Sequence, residues 1–168
     1  MEQTPAVHAT LRRYAMRSGF FVGLVMSANF VIGLIFPTGL LASGLSLFFI
    51  FLVPILMVRF ALVVRKQVLG NSMNWGEAFA FLTYQLLFAL VPYALFVYLF
   101  LIMPQGIRAM DTALEVWNQV AQQNPTFAEG VEQMRNMTKI EITFMYLFSN
   151  LLGWSVFNLI CAFFIQKK

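Results

Sequence analysis

The stretch AFAFLTYQLLFALVPYALFVYLFLIM, from Ala78 to Met103, decides the fold. It contains no charged residue and is longer than the roughly 20 residues with which a helix crosses a bilayer core. Three further apolar runs accompany it, Ser18–Phe36, Gly39–Val64 and Ile142–Ile165, and only Arg59 interrupts them with a charge. A backbone in lipid has no water to bond to, so a spanning segment must satisfy its own N–H and C=O groups, as a helix does. The four runs predict an all-α integral membrane protein with four transmembrane helices.

Composition supports that reading. The chain has 168 residues, of which 60% are hydrophobic and 11% charged, and its mean hydropathy is +0.77. A soluble domain carries roughly 25% charged residues, so this chain has too few to coat a water-facing surface. The charges also sit at the ends of the apolar runs. Arg12, Arg13 and Arg17 precede the first, Arg65 and Lys66 follow the second, and Lys167 and Lys168 follow the fourth. The positive-inside rule puts these clusters in the cytoplasm, with both termini inside. Between runs three and four, Arg108, Arg135 and Lys139 stand against Asp111, Glu115, Glu129, Glu132 and Glu141, a net charge of −2. That segment, Pro104–Glu141, is expected outside. The basic clusters are topology signals, and no nucleic-acid partner is expected. The domain reading is a basic cytoplasmic tail, Met1–Arg17, followed by one membrane domain, Ser18–Lys168. The first run exceeds the 7–15 apolar residues of a signal peptide and is read as an uncleaved first span.

The breaks between runs carry recognisable punctuation. Phe36-Pro37-Thr38-Gly39 predicts a tight turn between spans one and two. Pro54 and Pro92 each remove a helical hydrogen bond and predict kinks in spans two and three. Arg59 lies near the cytoplasmic end of span two, where its stem can carry the charge out to the headgroups. Asn74, three residues before Glu77, has capping-box spacing at the start of span three, and Trp75 falls at headgroup level. Glu77 and Arg59 are the candidate functional charges at the membrane edge.

The external segment has helical periodicity. Ile107, Met110, Leu114, Trp117 and Ala121 recur at three and four residues, opposite Arg108, Asp111, Glu115, Asn118 and Gln122. Gln123-Asn124-Pro125 ends this amphipathic helix, and Thr126 and Glu129 have capping-box spacing for a second. Phe127, Val131, Met134 and then Met137 or Thr138 form its apolar stripe. An external amphipathic helical hairpin results, its second helix expected to run on into span four. Trp117, Met110 and Leu114 are its candidate interaction residues.

Inside the bundle the candidate polar residues are Gln85, Asn150 and Asn158, each of which calls for an interhelical partner. Asn150, Trp154 and Asn158 share one face of span four. Gly19, Gly23 and Ser27 in span one, and Ser149 and Gly153 in span four, have the small-residue spacing that lets helix backbones approach. Both sets are expected to point into the bundle.

Two stretches carry a family resemblance. Met73-Asn74-Trp75-Gly76-Glu77-Ala78-Phe79 and the C-terminal helix Asn158-Leu159-Ile160-Cys161-Ala162-Phe163-Phe164-Ile165-Gln166-Lys167-Lys168, with the acidic amphipathic insert between them, resemble a bacterial family of small four-span inner-membrane proteins known as domain of unknown function 4199. The resemblance implies four spans and a bacterial inner membrane. It implies no activity and no catalytic residue.

The chemistry-bearing residues are sparse. Cys161 is the single cysteine and His8 the single histidine, the latter in the tail. Neither forms a metal-ligand cluster or a nucleophile–base pair in sequence. No enzyme activity, metal or cofactor is expected. The expected partners are the lipid bilayer and another membrane or periplasmic protein, docked through the external hairpin. The alternative is a transporter or lipid-handling subunit that uses the neutral polar residues of the bundle. The oligomeric state stays open.

Overall fold

The computed structural model describes residues 5–36, 40–122 and 125–167. Among these described residues six helices follow one another: α1 (Pro5–Ile35), α2 (Leu40–Gln67), α3 (Trp75–Ile102), α4 (Pro104–Ala121), α5 (Pro125–Asn136) and α6 (Lys139–Ile165). The four long ones, α1, α2, α3 and α6, are long and apolar enough to cross a membrane. Their surfaces are inverted relative to a soluble protein: Phe20, Phe51, Phe144, Phe148 and Phe164 are all exposed, Phe164 to 81%. Apolar area of that extent is stable only against lipid.

α3 is the central helix. It packs along α1 on one flank and α6 on the other, and α2 packs mainly on α1, with lesser contacts to α3 and α6. Accordingly, 44% of the most apolar window of α3 is buried, against 22% for α2 and for α6. The α1–α3 contact rests on small residues. A methyl group at Gly19 would strike the main-chain carbonyl of Gln85, and one at Gly23 that of Ala89. One turn on, Ser27 is buried and turns its hydroxyl back to the Gly23 carbonyl at 2.7 Å. The register advances four residues on both helices, so α1 and α3 run parallel. The core that forms around this seam includes Val22, Met26, Met57, Leu82, Leu86 and Ile142.

Both helix ends around the α2–α3 connection are closed locally. Gly70, at φ +60°, and Asn71, at φ +71°, take the left-handed conformation. That turn lets the Asn71 N–H reach back to the Arg65 carbonyl at 2.9 Å, satisfying one of the last carbonyls of α2. Asn74 then caps α3 as expected: its Oδ1 accepts from the Glu77 N–H and its own N–H donates to Glu77 Oε2, both at 2.9 Å. Met73 and Lys167 exchange two backbone hydrogen bonds at 2.8 Å, which ties the connection to the end of α6. The connection and the C-terminal end of α6 thus share one end of the bundle, hereafter the basic end. The α4–α5 hairpin occupies the other.

Several expectations change. Residues 5–17 form the first turns of α1, because nothing between Pro5 and Ile35 interrupts the helix. α5 starts at Pro125, which places Thr126 inside its first turn and not at the cap. α5 does not run on into span four: Met137 and Thr138 break the path. Thr138 caps α6, with its hydroxyl and Glu141 exchanging bonds in a second capping box. Ser149 and Gly153 face outward, and a methyl group at Gly153 would meet nothing within 4 Å. The turn expected at Pro37-Thr38-Gly39 and the break at Gln123-Asn124 lie outside the described residues.

The two glycine seams therefore predict opposite responses. Gly23→Ala should lower thermal stability in detergent by about 1–3 kcal/mol, the usual cost of overpacking. Gly153→Ala should leave the melting temperature unchanged. Equal responses would remove the α1–α3 seam from the account.

Candidate functional site

The hairpin end is where the fold builds a surface beyond four packed spans. Met103, with an extended backbone, ends α3, and Pro104 starts α4 at once. Pro fits there because its missing N–H would have had no helical acceptor. Gly106 permits the sharp return: a side chain there would collide with the Phe100 carbonyl. α4 and α5 then pack on each other through Leu114, Ala121 and Val131, with Met110, Trp117 and Met134 against them.

The predicted interaction stripe is thus turned inward. Leu114 is buried, and Met110 and Trp117 are half-buried. Met110 and Met137 also pack on the main core, which holds the hairpin to the bundle. Phe127, the first residue of the predicted α5 stripe, is exposed. Beneath α4 lies an apolar cavity of about 130 Å³, bounded by Phe30, Phe100, Ala113, Trp117, Met134 and Tyr146 among others. Phe30 and Phe100 meet at 5.4 Å between ring centroids and form part of its wall. Sequence reasoning found Trp117 and Met134 from their period but missed Phe30, Phe100 and Tyr146. Those three carry no motif and are brought together only by the packing of α1, α3 and α6.

The interior polar residues divide into two kinds. Asn150 donates to the Tyr93 hydroxyl at 3.2 Å and to the Tyr146 carbonyl at 2.9 Å, so it bridges α6 to α3 as expected. Gln85 and Asn158 are fully buried, as predicted. Neither amide atom of either side chain finds a hydrogen-bond partner among the described residues, which differs from the partnered interior expected. Both helices rise about 1.5 Å per residue. The two amides each lie eight residues from the Tyr93–Asn150 bond, in the same direction, and so occupy about the same level of the bundle.

At the basic end, Glu77 serves the α3 cap and Arg59 is exposed on the outer side of α2. The cation that joins helices there is Arg65, which donates to the Ile165 carbonyl at the end of α6. Trp75 stacks on Phe79 at 5.5 Å and meets Phe163 at 5.7 Å. Cys161 is buried and free. Among the described residues, no three His, Cys, Asp or Glu side chains are grouped to hold a metal ion.

The two kinds of interior amide should respond differently to mutation. Asn150→Leu breaks a bond between helices and should lower stability by roughly 0.6 kcal/mol, up to about 2. Gln85→Leu removes two unpartnered polar atoms and should leave stability unchanged or raise it. Thermal unfolding in one detergent compares them. A larger loss for Gln85→Leu would mean that its amide is bonded in the folded protein.

A family model described as "Protein of unknown function (DUF4199)" matches residues 17–167. No curated protein and no solved structure matches the chain. The match covers α1 from Arg17 onward, the other three long helices, the α4–α5 hairpin, and the Met73–Lys167 pairing at the basic end. The chain belongs to the DUF4199 family.

Proposed function

We propose that this chain is a non-enzymatic, multi-pass protein of a bacterial inner membrane that acts as an accessory or assembly subunit, with the α4–α5 hairpin as its docking surface. The observation that carries this reading is an exposed apolar edge on a helix that is already anchored. Val116 and Val120, one turn apart on α4, are 52% and 50% exposed while Leu114 and Ala121 hold the same helix to its neighbours. Phe127 adds an exposed ring on α5. Asp111 and Glu115 lie on another side of α4, in a groove with Met134 and Arg135 of α5, so a partner with an apolar patch would complement this edge. A pre-packed helix loses little further freedom on binding. The net positive basic end favours a cytoplasmic location for the termini and an external one for the hairpin.

The apolar cavity beneath α4 favours a second reading, lipid handling. It is lined by aromatic and methionine side chains and lies near the membrane level, where an acyl chain could enter.

One comparison separates the two. The native chain and Val116→Glu/Val120→Glu are purified in mild detergent, and co-purifying proteins and lipids are quantified. Docking predicts a stoichiometric protein partner that the double variant loses at unchanged melting temperature. A monomer that carries lipid equally in both chains supports the second reading. A partner retained at full stoichiometry by the double variant would sink the proposed docking edge.

A further inference from the structure

We propose that α1 carries a binding site for the phosphate of an anionic phospholipid, built from Arg13, Arg17 and Tyr14 at the basic end. The site lies apart from the hairpin and does not depend on its role.

The site follows from how α1 overshoots its neighbour. α1 and α2 run antiparallel, and Phe21 meets Phe60 at 6.2 Å between ring centroids. Counting outward from that contact, the last residue of α2, Gln67, is level with about Tyr14. α1 continues beyond it to Pro5. Around and beyond that level α1 carries an open notch lined by Ala9, Thr10, Arg13, Tyr14 and Arg17, with a volume of about 580 Å³. Arg13 and Arg17 stand one turn apart and so neighbour each other on the helix surface.

Nothing described in the chain neutralises this pair. Arg13 and Arg17 are exposed, and neither forms an ion pair with a described residue. Two like charges one turn apart repel, unless an anion sits between them. Depth makes the need sharper. The parallel α1–α3 register puts Arg17 level with about residue 83, roughly 12 Å along α3 from its first residue. α3 has 28 residues, about 42 Å of helix, against a hydrocarbon core of about 30 Å. With α3 centred in the core, the Arg17 backbone falls roughly 6 Å inside the hydrocarbon. Its stem must carry the guanidinium outward, toward Arg13 and the Tyr14 hydroxyl.

A phosphate fits that convergence. Two guanidinium groups can grip its oxygens in bidentate fashion, and a phenol hydroxyl can donate to a third. A lipid is favoured over free phosphate by what lies next along the helix. Phe20, Phe21 and Leu24, at 53%, 49% and 42% exposure, continue the α1 surface into the membrane. They offer acyl chains an apolar track directly below the charged notch.

Native mass spectrometry of the full chain in detergent tests the site, with phosphatidylglycerol and phosphatidylcholine added in equal amounts. The native chain should retain one phosphatidylglycerol in preference to phosphatidylcholine. Arg13→Gln/Arg17→Gln should weaken that retention by roughly 30-fold, as the loss of two arginine contacts implies. Arg12→Gln/Lys167→Gln removes the same charge elsewhere and should retain the lipid as the native chain does. Equal loss in both doubles would mean diffuse charge and overturn the site, as would equal retention of the two lipids by the native chain. Displacement of the lipid by millimolar inorganic phosphate would assign the arginines to a soluble anion and overturn the lipid assignment. If the glutamine pair fails to fold, Arg13→Lys/Arg17→Lys keeps the charge but loses the bidentate grip. Its retention should still fall, and full retention would overturn the proposal.

Discussion

The bundle depends on the close approach of α1 to α3. Lipid supplies no hydrophobic force to press two helices together, so association comes from van der Waals contact and a few interhelical hydrogen bonds. Gly19 and Gly23 let the α1 backbone lie directly on the Gln85 and Ala89 carbonyls. With that seam closed, α3 has neighbours on both flanks, α2 packs mainly on α1 while also touching α3 and α6, and α6 seals the remaining flank of α3. The exposed phenylalanines of the outer surface are then faces left over for lipid.

The two ends of the bundle are finished by different means. At the basic end backbones are joined: Met73 pairs with Lys167, Arg65 reaches the Ile165 carbonyl, and Trp75 lies between Phe79 and Phe163. Here the two stretches that carry the family resemblance touch in space, although about eighty residues separate them in sequence. At the opposite end closure is by side chains. An amphipathic hairpin packs over the mouth and leaves a small apolar cavity beneath. An end knitted by main-chain bonds resists opening, whereas one closed by methionine and aromatic packing can adapt to a guest.

Much of this was legible in the sequence, and the failures share a cause. Long uncharged runs, the Asn74–Glu77 cap and the three-four period of α4 are local signals, and each appears where expected. Spacing alone does not say what lies opposite. Gly19-Gly23 and Ser149-Gly153 have the same pattern, yet one pair meets a backbone and the other faces outward. The α4 stripe was read correctly as apolar, but its burial against α5 turns Leu114 away from any partner. The Thr138–Glu141 cap was present in the sequence, and the expected continuity of α5 with span four hid it. Gln85 was placed inside correctly, while its lack of a partner depends on the residues that surround it in three dimensions. The cavity wall at Phe30, Phe100 and Tyr146 is non-local and left no motif to read.

The account turns on which way the bundle faces, because the hairpin can meet an external partner only if the basic end lies in the cytoplasm. Single cysteines at Gln119 and Asn71, both on exposed positions, in a chain carrying Cys161→Ser, address this directly when intact cells are treated with a membrane-impermeant maleimide. The account predicts labelling at position 119 in intact cells, and at position 71 only after the membrane is opened. Labelling at 71 but not at 119 in intact cells would contradict it.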